Sequence, residues 1–358
     1  MTIRSLKVRN LKRFVNQDFE FAPLTVLTGL NSSGKSSAVQ AILLAYHAQS
    51  VAEGGVVPLN AEPGLGLGQP VDVLAAEALT SEVGVVLDVD GARFRWTFQT
   101  QFEGADAAAH LLCTEHANPG VMLSYLGAER MGPRTSQPVA PVSDADRDCV
   151  FLGDDGRFVA HALAVHGRRQ VAPDLQHPDR AGGSTVSTQT EAWMGDLVGA
   201  VQFEAGLVPR TDLATLHVRS TSTDDWYLPT NVGFGITYAL PIVVAGLTAK
   251  PGTVLIVDSP EAHLHPAAQS AVGRFLARVA ASGTQVILES HSDHVVNGIR
   301  RAVVEELVSA EDVVVHFLAG RAEPVRIDVN ARGRLSAWPT GFFDQIEADL
   351  RQITRPRG

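Results

Sequence analysis

Gly29-Leu30-Asn31-Ser32-Ser33-Gly34-Lys35-Ser36 fits the spacing G-x-x-x-x-G-K-[ST] at every fixed position. Before it, Leu24-Thr25-Val26-Leu27-Thr28 is a short apolar, β-branched run that reads as a buried strand. After it, Val39, Ile42, Leu43 and Tyr46 recur at helical spacing. Strand, glycine-rich loop and helix is the context in which this motif has a mechanism. Glycines let the backbone wrap phosphate groups, while successive N–H groups and the helix N-terminus supply positive potential. The cradle is assigned to Gly29, Asn31, Ser32, Ser33, Gly34, Lys35, Ser36 and Ser37. Lys35 is expected to reach the β- and γ-phosphates, and Ser36 to set its hydroxyl on Mg²⁺. The stretch therefore reads as a nucleoside triphosphate site.

The composition is that of a globular chain. Its 358 residues, 45% hydrophobic and 19% charged, suffice for about two domains of ~150 residues each. No apolar run reaches the ~18 residues that a membrane span requires, and the start, Met1-Thr2-Ile3-Arg4-Ser5-Leu6-Lys7, is too polar for a signal peptide. Cys113 and Cys149 offer neither a metal spacing nor a disulfide framework, so a reducing cytoplasm is expected. A net charge of −10 argues against a general nucleic-acid coat. Residues 1–13 nevertheless carry Arg4, Lys7, Arg9, Lys12 and Arg13 with no acid among them, and Arg351, Arg355 and Arg357 lie near the C-terminus. A basic strip on an acidic body, able to bind DNA without sequence preference, is one reading; solvated surface charge is the other.

Along the chain, residues 3–8 and 18–21 read as a strand pair. The Gly- and Pro-rich residues 49–70 read as a loop, and 82–89 with 92–98, joined through Asp90-Gly91, as a hairpin. Short strands are expected near 123–125 and 158–165, and a helix near 190–201. A largely apolar helix follows Thr230-Asn231-Val232-Gly233-Phe234-Gly235, and Pro241 is expected to kink it. Strands at 254–257, 285–288 and 313–317 then alternate with helices, one opened by Pro266 and one marked by Val295, Ile299 and Ala302. That alternation predicts an α/β fold with a parallel, helix-covered sheet. The expected division is a split core, 1–48 with 229–320, an inserted segment over 49–228, and a C-terminal extension over 321–358.

Thr253-Val254-Leu255-Ile256-Val257-Asp258 is a hydrophobic strand ending in a carboxylate. Beside a phosphate loop, such a strand delivers Asp258 to the Mg²⁺ shell at the C-terminal edge of the sheet. His263, His265, His291 and His294 do not read as a transition-metal site, because no Cys accompanies them and Pro266 opens a helix at once. Arg130 and Arg134, near Pro133, read either as phosphate or partner contacts or as plain surface arginines.

These residues carry a resemblance. Asp258-Ser259-Pro260-Glu261-Ala262-His263-Leu264-His265-Pro266 resembles the E-x-P-E-A-H-L-H-P block of ABC-type ATPases of the OLD-like and RecF/SMC-like branch. Glu289-Ser290-His291-Ser292-Asp293-His294 is similar to that branch's T-H-S-D switch segment, and residues 231–235 to its signature loop. Trp338-Pro339-Thr340-Gly341-Phe342-Phe343-Asp344-Gln345 resembles the ending of a bacterial subfamily of AAA/ABC-type ATPases. The likeness covers roughly residues 1–46 and 229–350, with a looser match around Tyr125-Leu126-Gly127-Ala128-Glu129-Arg130.

The resemblance implies a P-loop NTPase of ABC type with an N-terminal β region and a mixed α+β insertion between the Walker A and the signature-like loop. It implies Mg²⁺ and ATP as cofactors, and a homodimer in which two copies sandwich two ATP molecules. Gly233 and Gly235 then meet the γ-phosphate held by the partner, and His291 is the switch histidine. Catalysis is assigned to Lys35, Asp258, Glu261 and His291, and the metal to Ser36 and Asp258. One position departs from the pattern: Ser259 stands where such enzymes carry a glutamate that polarises the attacking water. Serine alone is no general base near neutral pH, and Glu261 is the nearest substitute. The expected activity is thus slow or conditional ATP hydrolysis, signalling to nucleic acid or a separate effector protein in DNA maintenance or phage defence. The alternative is a nucleotide-sensing scaffold that does not hydrolyse ATP. A transporter motor is disfavoured, because the loop lacks the L-S-G-G-Q wording.

Overall fold

The apolar run before the glycine loop is a strand near the middle of a parallel sheet, and its neighbours arrive from distant parts of the chain. A computed structural model describes residues 1–103, 105–141, 150–178, 183–220, 224–320 and 322–354; Cys149, Arg355 and Arg357 lie outside them. In chain order, β1 (Ile3–Leu11), β2 (Phe14–Glu20) and β3 (Leu24–Gly29) lead into α1 (Lys35–Ala48). Short strands β4 (Val56–Pro58), β5 (Asn60–Ala61) and β6 (Leu65–Gly66) and the single turn α2 (Pro70–Val73) come next. Then follow β7 (Glu82–Val89), β8 (Ala92–Gln99), β9 (His110–Glu115), β10 (Leu123–Leu126), β11 (Gln137–Pro138), α3 (Val159–His166) and α4 (Val186–Val198). The remainder comprises β12 (Gln202–Leu207), β13 (Leu213–Arg219), α5 (Phe234–Thr248), β14 (Val254–Asp258), α6 (Pro266–Ala281), β15 (Gln285–Glu289), α7 (Asp293–Val304), β16 (Val313–Leu318), β17 (Val325–Asp328) and α8 (Gln345–Ile353).

Two six-stranded sheets dominate. One has the order β10-β14-β15-β3-β16-β17, parallel except for β17, which runs antiparallel to β16. The other is antiparallel, in the order β2-β1-β7-β8-β9-β4. Side chains alternate across a strand, and the parallel strands are apolar on both faces. Val254, Ile256, Ile287 and Leu27 face α1 and the antiparallel sheet, in one core. Leu255, Val257, Val286, Leu288 and Val26 face α4, α5, α6 and α7, in the other. Helix α1 thus lies between the sheets, with Ala38, Ala41, Ile42, Leu43 and Leu44 fully buried, and the glycine loop at its start has little freedom to move.

The structure corrects two sequence expectations. Residues 158–165 are not a strand: Val159–His166 is a helix with Val159, Ala160, Ala162, Leu163 and His166 buried. Its three alanines favour helix, and the apolar run was too short for periodicity to decide. The loop expected over 49–70 contains β4, β5 and β6. The inserted segment 49–228 contributes strands to both sheets, since β10 pairs with β14 and β7 pairs with β1. Likewise β17, from the stretch after residue 320, closes the edge of the parallel sheet.

Helices α6 and α7 cross with almost no space between their backbones. A Cβ on Gly273 would lie 2.3 Å from the Val295 carbonyl oxygen, and one on Gly298 would lie 2.0 Å from that of Ser270. Helix propensity alone would favour alanine over glycine by about 1 kcal/mol. Gly298→Ala is instead expected to destabilise the chain by about 3 kcal/mol through overpacking, as measured by urea unfolding; a neutral or stabilising result would refute the close crossing.

Candidate nucleotide site

The glycine loop is held by backbone geometry that side chains cannot share. Gly29 has φ 137°, and a Cβ there would lie 2.1 Å from the Leu318 carbonyl oxygen of β16. Gly34 has φ 101°, and its Cβ would strike Arg13 and Phe14. Leu30 N–H donates to Leu318 O at 3.1 Å, which ties the loop to the sheet. The first turn of α1 carries no acidic residue of its own. A cavity of ≈ 240 Å³ lies there, lined by Lys12, Arg13 and residues 32–37.

Lys35 is buried and folds back on the loop, donating to Leu30 O at 2.9 Å and Gly29 O at 3.3 Å. Burial lowers its pKa, and nearby Glu289, Asp258 and Glu261 oppose that shift. Ser36 Oγ donates to Glu289 Oε1 at 2.8 Å. Burial raises the Glu289 carboxyl to about 7, with Asp258 as a further cause. Asp258 is also raised by burial, against the hydroxyl of Ser259, which donates to its Oδ1 at 2.8 Å. Ser33 Oγ and Glu289 Oε2 are buried without a hydrogen-bond partner. Backbone donors, a buried lysine and oxygen ligands fit a polyphosphate with a hard divalent cation.

Glu261 holds the next loop. Its Oε2 accepts from Ser290 Oγ and its Oε1 from the His291 amide, each at 2.8 Å. The His291 residue is exposed overall, and partial burial of its ring together with nearby Lys35 lowers its pKa, against Glu261 and Asp258. It shares a cavity of ≈ 290 Å³ with Thr28, Gly29, Leu30, Phe317 and residues 341–345. The C-terminal block therefore borders the glycine loop, anchored by buried Phe342, whose ring centroid is 5.4 Å from that of Phe317.

Gly233 caps α5, and a Cβ there would meet nothing within 4 Å. A Cβ on Gly235 would lie 3.2 Å from the His263 carbonyl oxygen, and the His263 ring packs against Tyr238 at 4.3 Å. Neither glycine lines the cavity beside Lys35 and Ser36 in the same chain. Asn31, Ser32 and Ser37 stay on the loop and the first turn of α1, with Ser32 at φ 57°. His265 caps α6. Among the described residues no three His, Cys, Asp or Glu side chains are grouped to hold a metal ion unaided; Mg²⁺ bound with a triphosphate needs only one or two carboxylates.

Three features escaped the sequence. Glu289 ends an apolar parallel strand as Asp258 does, and that shared pattern was the available signal. Lys12 and Arg13 turn into the loop, Arg13 donating to Ser32 O at 2.9 Å and also to Gly320 O. Lys7 and Arg9 pair instead with Asp18 and Glu82, so the N-terminal basic strip is partly neutralised. Arg130 is neither a surface residue nor free for a ligand. It is buried and donates to the carbonyls of Gly127, Asp258 and Ser259, bracing the turn after β14 where Ser259 adopts φ 48°. Arg134 donates only to its neighbour Pro133 among its described bonds.

Comparison with known proteins agrees with this geometry. A family profile described as "AAA domain, putative AbiEii toxin, Type IV TA system" matches residues 170–297, and one described as "AAA domain" matches residues 5–56. A third, "Protein of unknown function (DUF3696)", matches residues 308–353, the stretch that contains the Trp338 block. No curated protein matches. Among solved structures, the Smc head bound to the C-winged helix domain of ScpA is 12% identical, with TM-score 0.51 over 92% of this chain and 98% of that one. The Smc head domain with an extended coiled coil, bound to the C-terminal domain of ScpA derived from Pyrococcus furiosus, is 10% identical, with TM-score 0.50 over 99% of each chain. The fold is that of the Smc head domains, and the two AAA-domain profiles match the stretches that carry the glycine loop and the Asp258 and Glu289 strands. Among the described residues no helix is long and apolar enough to cross a membrane.

Arg130→Met removes the fork that satisfies the Asp258 and Ser259 carbonyls. It is expected to cost about 3 kcal/mol in urea unfolding. Arg130→Lys is expected to recover little of that, since an ammonium cannot reproduce the planar fork.

Proposed function

We propose that this chain is a Mg²⁺-ATP-binding P-loop ATPase whose site is completed by a second copy of itself, and which signals its nucleotide state to a partner. The observation that carries the reading is one connected cluster at the sheet edge: Lys35, Ser36, Asp258, Glu289, Glu261 and His291, beside a helix N-terminus open to a cavity. Lys35 and the loop amides bind the β- and γ-phosphates, and Ser36 with Asp258 holds the cation. The cation's contribution is neutralisation of charge on the phosphates. Glu261 fixes the His291 backbone, so the imidazole is presented toward the γ-phosphate position.

Dimerisation is supported by Gly233. It starts a helix, faces open space and stands away from its own phosphate loop, which suits an anion site offered to another molecule. A protein partner is supported by exposed apolar residues near the C-terminus, Trp338, Leu350 and Ile353. Both solved neighbours are described with a ScpA domain bound. A task in DNA maintenance or phage defence stays part of the proposal, with sequence-independent DNA contact as its weakest element, given the pairing of Lys7 and Arg9.

A second reading, a scaffold that senses ATP without hydrolysing it, is favoured by Ser259. Its hydroxyl is spent on Asp258, and both Glu261 oxygens are taken. Steady-state phosphate release separates the two. Turnover that is lost in Lys35→Ala and falls at least tenfold in Glu261→Gln supports the ATPase; undetectable turnover with intact ATP binding supports the scaffold.

A Cβ on Gly233 meets nothing within 4 Å, so the fold and the monomer's ATP affinity of Gly233→Arg are expected to stay within about threefold of wild type. Light scattering should then show the wild type forming dimers in ATP and the variant remaining monomeric. Equal association of both would exclude this loop from the dimer contact.

A further inference from the structure

Strands β14 and β15 pair in parallel with Asp258 opposite Glu289, so two carboxylates end side by side at the C-terminal edge of the sheet. They are bonded differently. Asp258 Oδ1 accepts from the hydroxyl of Ser259, while Glu289 Oε1 accepts from that of Ser36, both at 2.8 Å. Glu289 is 5% exposed, and its second oxygen, Oε2, is buried with no partner. A buried polar atom left unpaired is costly, and where one persists it points to a group that the site is built to receive.

The chemistry of Ser36 says what that group is. A serine hydroxyl has one proton and two lone pairs. With the proton committed to Glu289, only lone pairs remain to face outward, and lone pairs are what a hard cation takes. Charge points the same way. Asp258, Glu261 and Glu289 surround Lys35, and Arg130 is the other cation beside Asp258 and Glu261. Three carboxylates thus share two monovalent cations, and a divalent ion redresses the excess.

We propose that Glu289 is the positioning carboxylate of the metal site: it accepts the Ser36 hydroxyl's hydrogen bond, so that the oxygen's lone pairs would be free for Mg²⁺, and its Oε2 would be available to the ion or its bound water. The role belongs to Glu289 rather than Asp258 because Asp258 is already engaged by Ser259, the residue standing where a catalytic glutamate is usual. The inference rests on the Mg²⁺-ATP reading above.

The test uses the full chain and a fluorescent ATP analogue, titrated in EDTA and then against rising Mg²⁺. Glu289→Gln preserves shape and is expected to bind the analogue in EDTA within about threefold of wild type. Its Mg²⁺ midpoint is expected to rise ten- to hundredfold, the range for residues that orient metal ligands. Ser36→Ala should give the same shift, and the double variant no more than Ser36→Ala alone, because both act through one hydroxyl. Melting curves identify any variant that loses its fold; Glu289→Asp then carries the test, with a midpoint between those of wild type and Ser36→Ala.

A wild-type Mg²⁺ midpoint in Glu289→Gln would overturn the proposal. So would equal loss of affinity with and without Mg²⁺, additive effects in the double variant, or a loss of turnover alone, which would mark Glu289 as a base. Each of these leaves the nucleotide reading standing. A wild-type chain that binds no analogue in either condition overturns both.

Discussion

Three carboxylates crowd one buried lysine, and much of the site answers to that crowding. Asp258 and Glu289 sit at the same level on neighbouring strands because the parallel register puts them there. In a water-poor pocket their mutual repulsion would be large without compensation. Lys35 supplies part of it, the hydroxyls of Ser36 and Ser259 supply hydrogen bonds, and Arg130 supplies charge from beneath the turn. The arrangement can persist because α1 is clamped between two sheets and the loop backbone is pinned to β16.

That constraint also explains the unusual residue at 259. A glutamate there would add a fourth carboxylate to the cluster. Serine instead ties up Asp258 and turns the chain through a left-handed conformation that Arg130 braces. The C-terminal block belongs to the same region. Phe342 is buried against Phe317, and residues 341–345 border the cavity that reaches His291 and Gly29.

How much of this was legible beforehand follows from the range of each interaction. The glycine loop, its flanking strand and helix, and the Asp258 strand are local patterns, and each lies where its spacing put it. The helix α3 was misread as a strand because eight apolar and alanine-rich residues carry no decisive period. The pairing of β10 with β14 was not legible, because strand pairing leaves no trace in either strand alone. Arg130 stayed open between a ligand or partner contact and a surface arginine because nothing local marks the carbonyls that it satisfies more than 100 residues away.

The sequence by itself determined the glycine loop, Gly29, Gly34, Lys35 and Ser36, whose geometry depends on spacing of a few residues. It also determined that Asp258 ends a buried strand, since an apolar run closed by a carboxylate is complete in six letters. Only the tertiary structure decided that Glu289 rather than Asp258 holds the Ser36 hydroxyl. It alone decided that Glu261 secures His291, and that Lys12 and Arg13 face the loop instead of forming a basic strip. Those outcomes depend on parallel register and helix position, which sum contacts from segments as far apart as residues 13 and 320. Local patterning fixes the ligands a loop presents; the sheet fixes their partners.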